Sequence, residues 1–186
     1  GGNFKLATVN ASPVVGEETM GDIHLGANAV LDTAGLWTND TRAAATGAVG
    51  PTQAGGGQIS VTAARSLRAE PGARIDVSAG ARLAGNGSIT RGSAGSINLG
   101  IGRSELFDSD LAFAGVALRG LDFAGGGTLS LGVPALTVSA GNTAGFTLSP
   151  QFFSDGGFGT INVSAFGEVR IPSGTALRPS LLNWEL

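Results

Sequence analysis

The only histidine of the chain, His24, is the first residue whose type could support catalysis. It lies in the segment GDIHLG, two residues after Asp22. An Asp–His pair can activate a serine, but the nucleophile-elbow pattern Gly-x-Ser-x-Gly does not occur. We therefore predict that His24 is an exposed polar residue on a strand and that it shares an outer face with Asp22.

Carboxylates are concentrated in one place, at Glu105, Asp108 and Asp110 in the segment SELFDSDLAF. Paired carboxylates can hydrolyse glycosides or bind Ca²⁺, but a solvated loop has the same composition. The segment GGFGTINVS (156–164) is close to a calcium-binding nonapeptide, yet Ile161 stands where that repeat needs Asp. The sequence therefore predicts a loop at the acidic cluster and no metal site.

Two glycine-rich segments, AGGGQ (54–58) and AGGGT (124–128), invite comparison with phosphate-binding loops. Both precede predicted strands, whereas a phosphate-binding loop follows a strand and opens a helix. We interpret them as chain corners. The sequence thus predicts no catalytic, cofactor-binding or metal-binding residues and no cofactor.

The composition restricts the class of protein. The 186 residues include 32 Gly and no Cys, and only 13% are charged. The net charge is −3 and the arginines are scattered, so no nucleic-acid partner is expected. The uncharged segment 123–154 is interrupted throughout by Gly, Ser, Thr and Pro, which argues against a membrane span. The start of the chain shows no signal-peptide pattern, and the chain is expected to be a piece of a larger protein.

The pattern Gly-x-(Ile/Leu)-x-(Val/Leu) recurs five times, at intervals of 36, 38, 32 and 32 residues. The copies begin at Gly21, Gly57, Gly95, Gly127 and Gly159. Apolar and polar residues alternate in each copy, as in a strand with one buried and one wet face. We expect the five copies to occupy equivalent positions in one parallel sheet.

Further strands are expected after most copies, because apolar residues return before small-residue corners such as VSAG. Ile59, Leu67 and Ile75 are spaced eight residues apart, which fits three sides of one triangular coil. The sequence therefore predicts an all-β fold, a right-handed parallel β-helix (a solenoid), with a β-sandwich as the alternative. We expect residues 1–186 to form a single β-helix segment with loop insertions near 36–56 and 102–120.

Alternation also assigns the segment ARIDVSAG (73–80) to two faces. Ile75 lies between Arg74 and Asp76, so we expect Ile75 to face the interior together with Val77. Asp76 is then expected to point outward, where its replacement would change stability little.

The repeated strands, the turn PGARIDVSAG (71–80) and the following GSINLG (95–100) resemble the shafts of filamentous-haemagglutinin-like bacterial exoproteins. The resemblance covers roughly residues 20–175. It implies a large adhesin, exported by two-partner secretion through an outer-membrane secretion partner and found in the medium or at the bacterial cell surface. It also implies host cell-surface glycans or proteins as partners. The shared motifs encode coil geometry, so no functional residue is carried over.

The expected function is a structural, non-enzymatic shaft segment of such an adhesin, with a role in attachment and virulence. Two alternatives remain at this point. One is a polysaccharide-acting lyase or glycosidase on the same scaffold, which would need charged residues across adjacent coils. The other is a passenger segment of an autotransporter, which shares the fold.

Overall fold

The structure is a computed structural model, and it describes residues 1–9, 20–41, 53–102, 110–141 and 145–185. Over these residues the chain is all-β, with 17 short strands and one 3-10 helix, Pro150–Ser154. Nearly all strand pairs are parallel, an arrangement compatible with a β-helix. No helix in the described part of the chain is long and apolar enough to cross a membrane.

The largest sheet has five parallel strands in the order β1-β5-β10-β13-β16. They are β1 (Asn3–Ala7), β5 (Gln58–Ala63), β10 (Ser96–Ile101), β13 (Gly127–Val133) and β16 (Phe158–Ala165). Each of these strands begins a new pass of the chain, so that pass one starts with β1 and pass five with β16. We call this sheet the main sheet.

The remaining strands form four three-stranded sheets. One contains β2 (Ile23–Leu25), β6 (Leu67–Ala69) and β11 (Leu111–Ala112), and another contains β3 (Val30–Asp32), β7 (Arg74–Asp76) and β12 (Ala117–Arg119). The third contains β14 (Leu136–Val138), β15 (Thr147–Leu148) and β17 (Val169–Arg170). The fourth contains β4 (Thr38–Asn39), β8 (Ala81–Leu83) and β9 (Ile89–Arg91).

Four of the five glycine-led copies lie in register in the main sheet, as the sequence predicts for them. Their first apolar positions are aligned strand to strand: Ile59, Ile97, Leu129 and Ile161. Their second apolar positions are aligned as well: Val61, Leu99, Leu131 and Val163. The period-two alternation places both rows on the inner face, so the sheet turns one continuous apolar surface inward.

The prediction for the first copy is wrong. Its strand, β2, pairs with β6, and the place next to β5 in the main sheet is taken by β1. The segment Gly2–Leu6 reads GNFKL, which has the same alternation with Phe4 opposite Ile59. A search for Ile or Leu in that position misses Phe4, which holds the equivalent register position on an edge strand and is 40% exposed.

The apolar rows form one core. Ile59, Val61 and Ile97 have no exposed surface, and Leu129 is 1% exposed. Burial stabilises each such side chain by roughly 1.5–3 kcal/mol relative to its exposed state, and chain ordering opposes this gain. Each buried residue packs against the equivalent residue of the neighbouring pass, so the passes stabilise one another.

The predicted loop insertion at 102–120 is wrong for its described second half. Residues 111–112 and 117–119 form β11 and β12, which pair in parallel with β6 and β7. The insertion predicted near 36–56 contains β4, which pairs with β8, and its residues 42–52 lie outside the described residues. The strands in these segments are only two or three residues long. They could not be recognised in segments whose composition is acidic or rich in alanine.

One strand pair is antiparallel. β8 and β9 form a hairpin whose turn contains Asn86 and Gly87, and Gly87 has a φ of 80°. Asn-Gly favours such turns because both residues tolerate positive φ. This dipeptide occurs once in the sequence, and it marks the one antiparallel pair among the described residues.

The corner VSAG at residues 77–80 consists of small residues because another pass lies against it. All four residues are buried, and a Cβ added to Gly80 would lie 2.2 Å from the carbonyl oxygen of Leu36. No side chain fits at such a distance. The predicted small-residue corner is therefore a place where two passes pack tightly against each other.

The prediction that Asp76 points outward is wrong. Asp76 is only 7% exposed, and its Oδ1 accepts a hydrogen bond of 2.9 Å from the backbone N–H of Ser78. The strand ends at Asp76, and the chain turns immediately afterwards, so strand alternation no longer describes the side chain. Ile75, by contrast, is 1% exposed, as alternation predicts.

Candidate functional site

His24 is exposed on β2, and its Nε2 lies 2.9 Å from Oε1 of Glu70. The other carboxylate oxygen of Glu70 accepts a hydrogen bond from the backbone N–H of Ala27. The neighbour that the sequence suggested for His24, Asp22, is engaged elsewhere. This exposed pair joins pass one to pass two, and no serine is hydrogen-bonded to it among the described residues.

Asp22 forms a two-pronged ion pair with Arg65 of the next pass. Arg65 Nε and Nη2 donate to the two carboxylate oxygens at 2.7 and 2.6 Å, and the backbone N–H of Ser66 adds a third hydrogen bond at 3.2 Å. The hydrogen bonds from Arg65 lower the pKa of Asp22 below its usual value, although partial burial acts in the opposite direction. Asp22 is therefore a structural carboxylate that stays ionised.

The same kind of pair occurs at two further places between passes one and two. Asp32 Oδ2 lies 2.9 Å from Arg74 Nη2, and Asp40 Oδ2 lies 2.6 Å from Arg82 Nε. In each case a carboxylate of pass one meets an arginine of pass two. These charges join neighbouring passes and do not converge on one point where a substrate could bind.

The acidic cluster of the sequence is only partly within the described residues. Glu105 and Asp108 lie outside them, whereas Asp110 is exposed and its Oδ2 lies 3.3 Å from Arg68 Nη2. Among the described residues there is no group of three or more His, Asp or Glu side chains that could hold a metal ion. In the near-calcium motif, Ile161 lies in register with Leu129 of the main sheet.

The glycine-rich segments are packing points between passes. A Cβ on Gly57 would lie 1.8 Å from the carbonyl oxygen of Gly2, and one on Gly95 would lie 1.7 Å from the carbonyl oxygen of Gly57. A Cβ on Gly159 would similarly lie 1.8 Å from the carbonyl oxygen of Gly125. The glycines therefore allow backbone to pack on backbone, which is a different role from cradling a phosphate.

The outer face of the main sheet carries a row of small polar residues. Ser60, Asn98, Ser130 and Asn162 are in register. Ser130 separates Asn98 from Asn162, so the two asparagines do not stack directly as an external ladder.

A concave region of about 420 Å³ lies between pass three and the segment that contains β15. Its wall is mainly apolar, and Phe113 packs there against Phe146 and Phe152 at centroid distances of 5.4 and 6.0 Å. The wall also includes Asp110 and Gly145, which adjoin segments outside the described residues. We assign no ligand to this region.

Sequence reasoning missed a second aromatic group, which we call the aromatic cluster: Trp37, Phe123 and Trp184. The Trp37 ring lies 5.7 Å from Phe123 at 58° and 5.8 Å from Trp184 at 90°, measured between centroids and ring planes. The guanidinium of Arg91 lies 5.9 Å from the Phe123 centroid. Despite its neighbours, Trp37 is 53% exposed.

Backbone contacts hold the aromatic cluster in place. Asp122 and Asn183 form a parallel bridge, and the backbone N–H of Trp184 donates to the carbonyl oxygen of Asp122 at 2.6 Å. The side-chain amide of Asn183 donates to the carbonyl oxygen of Ala124 at 3.2 Å. These bonds fix the C-terminal segment beside pass three. No local spacing in the sequence reveals the cluster, because its three rings come from distant segments.

No family model, curated protein or solved structure matches the chain.

Proposed function

We propose that the chain is a segment of a right-handed parallel β-helix and that each pass is one coil. One observation carries this proposal: four glycine-led strands stack in register in one parallel sheet. Strands of two further sheets follow in the same order in each of the first three passes. A β-sandwich would instead join its strands mainly by antiparallel pairing.

We propose that this β-helix is a structural shaft segment of a large secreted bacterial adhesin of the filamentous-haemagglutinin-like kind. The resemblance of PGARIDVSAG and GSINLG to shaft repeats supports the family, and the packing supports the role. Three kinds of contact among the described residues hold neighbouring passes together. Apolar rows pack inside, glycines at the corners allow backbone to contact backbone, and aspartate–arginine pairs join passes one and two.

The proposed mechanism is mechanical. Each coil buries its apolar residues against the next, so the stack projects a distal binding region away from the cell. The proposed role involves no catalysis: Asp22, Asp32 and Asp40 each pair with a different arginine of the next pass, and these pairs do not converge on one point. An outer-membrane partner would export the full protein to the medium or the cell surface, where host glycans or proteins are the expected contacts.

Immunogold electron microscopy tests the location. Antibodies raised against the purified chain are applied to intact cells of the organism that encodes it, and the culture medium is probed with the same antibodies. We expect labelling at the cell surface or in the medium. An antibody against a cytoplasmic protein serves as the control for leaking cells. Labelling confined to the cell interior would contradict the proposal.

Two further measurements test the fold and the absence of catalysis. An experimental structure that traces the backbone should show right-handed coils, and left-handed coils or an antiparallel β5–β10 pair would overturn the fold proposal. Incubation of the purified chain with acidic and neutral polysaccharides should release no reducing ends. Release that survives further purification would favour the polysaccharide-acting alternative.

A further inference from the structure

We propose that the aromatic cluster and Arg91 bind a carboxylate-bearing saccharide, with the sugar ring on the exposed face of Trp37 and the carboxylate at the Arg91 guanidinium. The inference deepens the proposed function by naming the class of glycan and the place where it binds. It rests on that function only for the source of the saccharide. The binding itself is argued from the described residues.

The position of Trp37 favours binding of a flat, partly apolar ring. Phe123 packs against the indole at a tilt and Trp184 packs perpendicular to it, which holds the indole in place while more than half of Trp37 stays exposed. A rigid aromatic side chain gives a large contact area at a low entropy cost on binding. The C–H face of a pyranose is a natural partner for such a surface.

Arg91 differs from the arginines that join neighbouring passes. Arg65, Arg74 and Arg82 each pair with an aspartate, whereas no carboxylate of the described residues lies within 4.0 Å of Arg91. Its guanidinium lies over Phe123 instead. With no carboxylate of the described residues beside it, the guanidinium can use its N–H groups to donate to a carboxylate. Charge complementarity therefore points to an anionic ligand.

The sheet spacing gives the two binding groups a suitable separation. β8 lies between β4 and β9, and Ala81 is in register with Arg91, while Thr38 is in register with Arg82. Trp37 and Arg91 therefore occupy one row on the same face, separated by two strand spacings of roughly 4.8 Å each. Both contact Phe123. This span suits one sugar ring with an attached carboxylate.

Polar groups lie close to this row and are suited to sugar hydroxyls. Asn39 follows Trp37 by two residues at the end of β4, and its Oδ1 accepts hydrogen bonds from the backbone N–H and the hydroxyl of Thr41. Within the described part of the chain the amide NH₂ of Asn39 has no acceptor, so it is available as a donor.

A single-stranded nucleic acid is the main competing ligand, because bases also stack on aromatic rings. Binding of that kind needs a basic groove that follows the phosphates. The aromatic cluster is accompanied by one arginine, and the chain has a net charge of −3. The observations therefore favour a small acidic saccharide.

Tryptophan fluorescence provides a direct assay, because the chain contains two Trp and no Tyr and both indoles lie in the cluster. The purified chain is titrated with trigalacturonic acid and, as the matched neutral ligand, with its methyl ester. We expect a saturable change with the acid below about 10 mM and binding of the ester at least about tenfold weaker, since charge-assisted hydrogen bonds are lost.

Two variants locate the site. Arg91→Gln keeps both indoles and should bind the acid and the ester with equal, weak affinity. The control Arg68→Gln removes an exposed arginine on β6, in another sheet, and should bind the acid as the wild type does. Trp37→Ala should abolish binding of both ligands in ligand-observed NMR. Circular dichroism and urea midpoints establish that each variant is folded.

Several outcomes would overturn the proposal. They are no saturable change with the acid, equal affinity of the wild type for acid and ester, or unchanged discrimination in a folded Arg91→Gln variant. Saturable binding of an oligothymidylate without binding of the saccharide would reassign the cluster to nucleic acid. A negative immunogold result would remove the cell-surface context and leave these binding results unaffected, so the two proposals fail separately.

Discussion

Truncation of Ile97 to Ala is the most direct test of the stacked apolar rows. Ile97 has no exposed surface and lies in register between Ile59 and Leu129. The substitution removes three carbon atoms, and at about 0.8 kcal/mol for each the lost transfer free energy is about 2.4 kcal/mol. The remaining cavity places the expected loss at about 2–5 kcal/mol.

The same change at Ile161 provides a matched comparison. Ile161 is the equivalent residue on β16, an edge strand of the main sheet, and it is only partly buried. Its truncation should reduce the free energy of unfolding by about half as much or less, because fewer buried contacts are lost. Asn98→Ala, an exposed change next to Ile97, should stay within about 0.5 kcal/mol.

Urea unfolding followed by circular dichroism measures these differences, with the slope of the transition compared among variants. For a chain of this length, 2–5 kcal/mol corresponds to a fall in Tm of roughly 5–15 °C. The reasoning is refuted if Ile161→Ala costs as much as Ile97→Ala, or if Asn98→Ala costs more than Ile97→Ala. Either result would mean that the inner and outer faces of the main sheet are wrongly assigned.

Three further predictions concern the contacts between passes and the corners. Since Arg65 lowers the pKa of Asp22, the ion pair stabilises the fold above the unfolded-state pKa of about 4. This stabilisation is lost as the pH falls through the folded-state pKa of Asp22. The urea midpoints of the wild type and Asp22→Asn should therefore differ at pH near 7 and converge at low pH. Gly57→Ala should destabilise the fold by more than about 1 kcal/mol because its Cβ meets backbone, whereas Gly100→Ala, with open space at that position, should be neutral or stabilising; an equal effect at both sites would contradict the packing. Asp76→Ala should cost about 1–3 kcal/mol because it leaves a buried N–H unpaired, and a loss within 0.5 kcal/mol in urea unfolding would instead support the outward assignment.

The inner rows could be predicted from the sequence because alternation is local. Ile59 and Val61 are two residues apart on one strand, and the need to bury both defines the face without knowledge of the neighbours. Alternation failed at Asp76 for an equally local reason. The strand ends there, and the Asp side chain caps the turn that follows.

The position of the first repeat could not be found from spacing alone. Outside the main sheet, passes one and two align with an offset of 44 residues, as for Ile23 with Leu67 and Leu31 with Ile75. In the main sheet the offset is 55, as for Phe4 with Ile59. The interval of 36 residues between the first two glycine-led copies thus joined strands of different sheets.

The 44-residue offset also explains why some surface contacts could be predicted from the sequence and others could not. Once the offset is known, Asp32 falls opposite Asp76 and lies next to Arg74, so the ion pairs between passes could be predicted from the alignment of two passes. The aromatic cluster follows no such rule. Trp37 belongs to pass one, Phe123 lies near the end of pass three, and Trp184 comes from a segment after the last strand. A repeating sequence determines contacts that recur in every pass, whereas a contact made once depends on where irregular segments return to the stack.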